Sequence, residues 1–303
     1  MATMLSLWRR LPVVVRAILA GTVVTSAGTL PWAWLVSENL RHGRAVPWAV
    51  VPTAIYLWFY WRYLQGAGWP RATADARRTS LRANRLSGDV WSAALMAGVL
   101  GLVALVFFMQ VWGRLVRLPQ QQDVDPATVP LVTLAFSLVM GSLVAGFAEE
   151  AGFRGYMQGP IERRHGPVVA ILVTGTLFGF AHFTHPEVSL RLMPFYLFVA
   201  TMYGGLAWLT NSIWPSLVIH AGSDILGFVR LFASGRSEWQ MAPVAQPLVW
   251  QSGPDTSFWI SCALAVVAIV AAVWAYVALA HVARGDAGTP TSIGGELRWR
   301  TGA

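Results

Sequence analysis

Long apolar stretches separated by short polar ones dominate this chain. Eight of them, near residues 17–36, 45–65, 90–112, 130–150, 167–183, 191–210, 213–231 and 257–281, approach the ~20 apolar residues that a membrane-spanning helix needs. They predict an all-α fold, a polytopic transmembrane bundle of about eight helices, with no linker long or polar enough to set off a separate soluble domain. One stretch breaks the pattern. In SLVAGFAEEAGFRGYMQGP, residues 142–160, two adjacent acids, Glu149 and Glu150, stand where a membrane helix is expected to stay apolar. Either the helix leaves the membrane there or it carries the acids inside.

Composition excludes an ordinary soluble domain, since 55% of the 303 residues are hydrophobic and only 12% are charged. The 22 basic residues outnumber the 14 acids, and every one is arginine. With eight helices, the side bearing both termini holds Arg9, Arg10, the 62–85 cluster, Arg154, Arg163, Arg164, Arg284, Arg298 and Arg300, the larger share. The positive-inside rule therefore places both termini in the cytoplasm. The loop GWPRATADARRTSLRANRLSGD is expected to lie along anionic headgroups through Arg71, Arg77, Arg78, Arg82 and Arg85. This accounts for the excess of positive charge without nucleic acid. The N-terminal WRRLPVVVRAILAGTVVTSAG has the parts of a signal peptide, but Arg16 interrupts its apolar middle. The single cysteine, Cys262, excludes an intramolecular disulfide or a cysteine-built metal cluster.

Charged groups in hydrocarbon cost at least about 2.5 kcal/mol each, so those that occur there are informative. Among the acids only Glu149, Glu150 and Asp224 fall in the apolar stretches; among the histidines, His42, His165 and His281 belong to loops or ends, which leaves His182, His185 and His220. His185 precedes Pro186 and reads as a helix-end residue. The others form three clusters on three helices, EEAGFR at 149–154, FGFAH at 178–182 and HAGSD at 220–224. Glu150 and Arg154 are spaced to share a helix face and neutralise one another, which leaves Glu149 without a local partner. His220 and Asp224 share a face in the same way.

Depth decides whether the clusters meet. If the helix ended at the acids, His182 would lie roughly 22 Å deeper than Glu149, at 1.5 Å per residue. If it continues to about Pro160, Glu149 and Asp224 both lie roughly 15–18 Å from the cytoplasmic helix ends and the depths nearly coincide. A carboxylate, two imidazoles and a further acid in one cavity can activate water with Glu149 as general base. The same four residues, Glu149, His182, His220 and Asp224, are also possible zinc ligands.

The ordered set Glu149-Glu150-x-x-x-Arg154, Phe178-x-x-x-His182 and His220-x-x-x-Asp224 resembles the CAAX prenyl protease 2 and lysostaphin-resistance-protein-A-like family, the CPBP intramembrane proteases. The resemblance covers about residues 130–230. It divides the chain into N-terminal helices with the Arg-rich loop (1–129), a CPBP-like catalytic core (130–231), and an outer loop, last helix and disordered tail (232–303). It implies an intramembrane endopeptidase in which Glu149 and His182 activate water while His220 and Asp224 stabilise the tetrahedral oxyanion. Glu150, Arg154 and Phe178 support the site. Asp224 departs from the Asn form of the last motif. An ionised carboxylate cannot donate to an oxyanion, so Asp224 must be protonated, orient His220 or bind a metal. Prenylated proteins are substrates of one branch, and bacterial members are linked to peptide processing and bacteriocin immunity. Exclusive use of arginine suggests a GC-rich bacterial genome, and so a bacterial cytoplasmic membrane and a membrane-associated peptide or protein substrate. Two competing readings are an ion or proton transporter, which would carry inverted repeats that this sequence does not display, and a non-catalytic immunity-type membrane partner.

Overall fold

The protein is described by a computed structural model covering residue 8 and residues 10–118, 129–182, 186–234 and 247–287. Among the described residues there is helix and no strand. The principal helices are α1 (Val13–His42), α2 (Val50–Leu64), the short α3 (Ala74–Leu81), α4 (Gly88–Leu115), α5 (Leu131–His165), α6 (Pro167–Ala181), α7 (Pro186–Thr210), α8 (Trp214–Ser234), the short α9 (Val249–Ser252) and α10 (Thr256–Ala287). Each of the eight expected spans finds its helix. Five are long and apolar enough to cross a membrane, namely α1, α4, α5, α7 from Leu190, and α10. Of the other three, α6 is a shorter apolar helix of 15 residues, α2 also has 15, and α8 has 21. The last helix runs six residues past His281, to Ala287, into what the sequence suggested was tail; the one glycine in VARGDA, Gly285, costs only about 1 kcal/mol and does not end it. His185, Trp239, the N-terminal residues before Trp8 and the tail after Ala287 lie outside the described residues.

Polar contacts at the two ends of the bundle fix an alternating, up-and-down order. At one end, which carries most of the described arginines, Arg82 between α3 and α4 reaches Glu162 on α5 and the α7–α8 turn, where Asn211 and Ile213 bond to it. At the other, Arg114 at the end of α4 binds Asp255 before α10 and the Pro247 carbonyl, and Trp112 donates to the Arg191 carbonyl on α7. The α1–α2 connection at this second end is held by fully buried Asn39, which donates to the Gly43 and Val46 carbonyls and accepts from the Ala49 amide. Buried polar groups of this kind are stable only when bonded, since hydrocarbon and protein interior offer no water.

Small residues bring the helices close. Gly98 faces Ile219 of α8, Gly101 faces Met202 of α7, and Ala104 packs with Ala268 and Ala272 of α10. Side chains of this size let backbones approach where apolar association has no water to drive it.

The headgroup expectation for the Arg-rich loop needs correction at two of its five residues. Arg77 is buried, donates to the Ala67 carbonyl and lies 4.0 Å over the Tyr63 ring. Arg82 is buried in its contacts with Glu162, Asn211 and the Ala207 carbonyl. Both serve the fold because the loop contains a helix, α3, packed beneath α5, which the charge count alone could not reveal. Arg71, Arg78 and Arg85 are exposed.

Candidate active site

Helix α5 does not stop at its acids. It continues from Glu149 through a π-helical segment, Glu150–Gln158, into Gly159–His165. Wide π turns inside α-helices are frequent at functional sites. Here the segment presents three polar side chains four residues apart, Glu150, Arg154 and Gln158, all fully buried. Glycines at its flanks permit this. Gly152 packs against Gly21 and Thr25 of α1, Gly155 lies against the Ser80 and Leu81 carbonyls of α3, and Gly146 lies against Ala221 of α8. The last contact presses the His220 turn of α8 onto the acids.

His220 is the centre of the resulting cluster. Its Nδ1 lies 2.9 Å from Glu150 Oε1, and its Nε2 faces Glu149 Oε2 at 3.8 Å and Asp224 Oδ2 at 3.7 Å. With an ionised Glu150 accepting, Nδ1 carries the proton and Nε2 is the nitrogen presented to the other two acids. The imidazole is buried, whereas the side chains of Glu149 and Asp224 retain 16% and 23% exposure. Glu149 and Asp224 therefore lie on the open side of the cluster.

The reading of Glu150 as accounted for by Arg154 is incomplete. Arg154 Nε stands 3.6 Å from Glu150 Oε2, an ion pair without a hydrogen bond. The carboxylate's close bond is the one to His220. The guanidinium is instead surrounded by rings, 5.1 Å from Phe178, 5.6 Å from Tyr203 and 5.9 Å from Phe153. Sequence spacing exposes contacts along one helix and is silent about partners on another.

His182 closes α6. Its Nδ1 donates to the Phe178 carbonyl at 2.8 Å, which assigns the lone pair of the neutral ring to Nε2. Its ring centroid is 4.6 Å from Phe178 and 5.0 Å from Tyr196. Phe178 in turn lies 6.3 Å from His220, edge to face. Phe178, itself buried in the core, thus stands between the two imidazoles.

Glu149, Glu150, Arg154, His220 and Asp224 are joined by polar contacts, and His182 and Phe178 by ring contacts. Among the described residues no group of three or more His, Cys, Asp or Glu is placed to hold a metal ion. The sequence reading missed Tyr203, whose ring stacks on His220 at 5.0 Å, its partner Ser223, and Gln158, which bonds to Glu162 and to the Gly204 carbonyl. A usable signal existed for Tyr203. With Tyr196 it forms a tyrosine pair seven residues apart on one face of an apolar helix, both buried.

Residues 131–226 match the family model described as type II CAAX prenyl endopeptidase Rce1-like. This segment, less than half of the chain, is similar to that family. The match runs from the start of α5 into α8 and includes all three motif clusters. No curated protein and no solved structure matches the chain. Together with the long apolar helices, the match supports an integral membrane protein.

Proposed function

We propose that the protein hydrolyses a peptide bond of a membrane-associated peptide or protein, with Glu149 activating water in the plane of the bilayer. The observation that carries this reading is the division of labour around His220, which has one nitrogen held by buried Glu150 and the other turned toward the two partly exposed acids. Glu149 Oε2 and His220 Nε2, 3.8 Å apart, are spaced to share one water at about 2.8 Å from each.

In the proposed reaction the water oxygen bonds to the scissile carbonyl carbon as Glu149 takes its proton. The carbonyl π electrons move to oxygen, giving a tetrahedral oxyanion. Collapse breaks the C–N bond, and the proton held by Glu149 passes to the leaving nitrogen. His182, with Nδ1 committed to the Phe178 carbonyl, offers Nε2 to the water or, when protonated, to the oxyanion. Asp224, beside His220 Nε2, suits orientation of that imidazole better than direct oxyanion binding, because a carboxylate has no proton to donate when ionised.

The arginine-rich end is assigned to the cytoplasm by charge asymmetry, and the membrane to a bacterial cytoplasmic membrane by arginine usage. Arg71, Arg78 and Arg85 remain the headgroup-facing bases. The printed name of the family concerns CAAX prenyl substrates, and a prenylated C-terminal peptide is accordingly one of two substrates to try. The other is an unmodified membrane-associated peptide. Purified protein in liposomes, incubated with each before and after metal chelation, tests the reading. Cleavage that persists after chelation and disappears in Glu149→Ala supports it, and cleavage retained by Glu149→Ala overturns it.

A further inference from the structure

We infer that Tyr203 and Ser223 are positioning residues that fix the plane of the His220 imidazole. The inference deepens the proposed hydrolytic reading and rests on it for its kinetic consequence, though not for its structural one.

A hydrogen bond at Nδ1 anchors one atom of an imidazole and leaves the ring able to swing about that bond. The second restraint on His220 is the Tyr203 ring, whose centroid lies 5.0 Å away with 23° between the planes, an offset-stacked arrangement. Phe178 meets the imidazole at 77°, so it borders the ring without setting its plane. Tyr203 is itself held. Its hydroxyl lies 3.0 Å from Ser223 Oγ, and Ser223 donates to the His220 carbonyl at 2.8 Å. A serine hydroxyl has one proton. With that proton on the His220 carbonyl, Tyr203 is the donor in the Tyr203–Ser223 bond. The contacts close a loop that starts at the His220 ring, passes through Tyr203 and Ser223, and returns to the His220 backbone. Because Ser223 and His220 are on the same turn of α8, the loop ties the tyrosine of α7 to the helix that carries the imidazole. Glu150 sets where Nδ1 points, Tyr203 sets the plane, and Nε2 is left aimed at Glu149 and Asp224.

The experiment compares wild type with Tyr203→Leu, Tyr203→Phe and Ser223→Ala, each first shown to unfold at a similar temperature in detergent. Loss of the stacked ring in Tyr203→Leu is expected to lower kcat between about tenfold and a hundredfold, the scale of a misplaced catalytic group, with KM unchanged. Tyr203→Phe keeps the ring and recovers most of that loss. Ser223→Ala matches Tyr203→Phe, and combining the two is no worse than either, because both break one hydrogen bond. A second readout needs no turnover. The side-chain nitrogen resonances of His220, assigned by their disappearance in His220→Gln, show one Nδ1-protonated set in wild type and Tyr203→Phe, and averaged or multiple sets in Tyr203→Leu. Wild-type resonances in Tyr203→Leu, wild-type kcat in Tyr203→Leu, or damage in Tyr203→Phe as deep as in Tyr203→Leu would each overturn the inference. Absence of Glu149-dependent cleavage in wild type would remove the hydrolytic reading and leave the resonances to decide the positioning role.

Discussion

Glu150 Oε1 and His220 Nδ1 lie 2.9 Å apart, with Glu150 fully buried and the two residues seventy positions apart in the chain. The bond joins the first and last motif clusters and gives the two adjacent acids different surroundings. Glu150 faces inward to the imidazole and Arg154. Glu149 faces the partly open side, where the chemistry is proposed.

Glu149→Gln keeps the shape of the side chain and removes the base. Cleavage of a membrane-associated peptide in liposomes is expected to fall by about 10²–10⁴-fold, the usual contribution of a general base, with the unfolding temperature unchanged. Near-normal turnover in this variant would remove Glu149 from the role of base.

Glu150 and Arg154 are expected to be costly to separate. Removing one partner of a buried pair leaves an uncompensated charge and costs about 3–5 kcal/mol, whereas replacing both with apolar residues of similar size is far less harmful. Arg154→Met and Glu150→Gln should therefore each lower the unfolding temperature in detergent, and the double variant should regain much of the loss. Activity should not return with stability, because the double variant still lacks the carboxylate that holds His220 Nδ1.

Gly152 is predicted to accept no side chain. A Cβ there would stand 2.7 Å from the Gly21 carbonyl oxygen and 3.0 Å from the Thr25 amide nitrogen, and would also meet Thr25 Oγ1. Both backbone contacts belong to α1, so Gly152→Ala must push α1 away from the π segment, at about 1–3 kcal/mol for overpacking. Gly227→Ala, where nothing lies within 4 Å of the added carbon, is the control and should lose no stability.

Arg82 carries the clamp at the basic end. It meets Glu162 with two contacts of 3.2 Å, the Ala207 carbonyl at 3.0 Å and Asn211 Oδ1 at 3.2 Å. Arg82→Gln is expected to destabilise by about 3–5 kcal/mol, as for one member of a buried pair. Arg78→Gln, whose pair with Asp75 is exposed on both sides, should change stability by about 0–1 kcal/mol. Equal effects in thermal unfolding would place Arg82 with the surface arginines.

Asp255 sits before α10, outside its membrane span. The Arg114 guanidinium, the Phe258 amide and the Ser257 hydroxyl together hold its carboxyl down from 3.8 to about 2. A depressed carboxyl contributes stability that is present above its unfolded value and is lost as pH falls through the folded one. Stability should therefore drop on acidification between 3.8 and about 2, and Asp255→Asn should flatten that part of the profile. An unchanged profile in Asp255→Asn would show that other groups govern this acid limb.

The sequence alone determined the eight helices, because long apolar stretches have few other ways to satisfy their backbone in a membrane. It also determined that the acids lie within a helix that continues past them, because only that continuation brings Glu149 level with His182 and Asp224. The four-residue spacings exposed the Glu150–Arg154 and His220–Asp224 relationships, which are local. The tertiary structure decided everything that depends on how helices turn toward each other. Glu150 bonds to His220, Phe178 separates the two imidazoles, Tyr203 covers the His220 ring, and Arg82 belongs to the interior. A change in winding adds to this, since the π segment fits no strict 3.6-residue pattern and its composition does not announce it. Periodicity along one helix assigns residues to faces, but the rotation and register of one helix against another follow from close contacts such as Gly146 on Ala221 and Gly152 on Thr25, and these exist only once the bundle is packed.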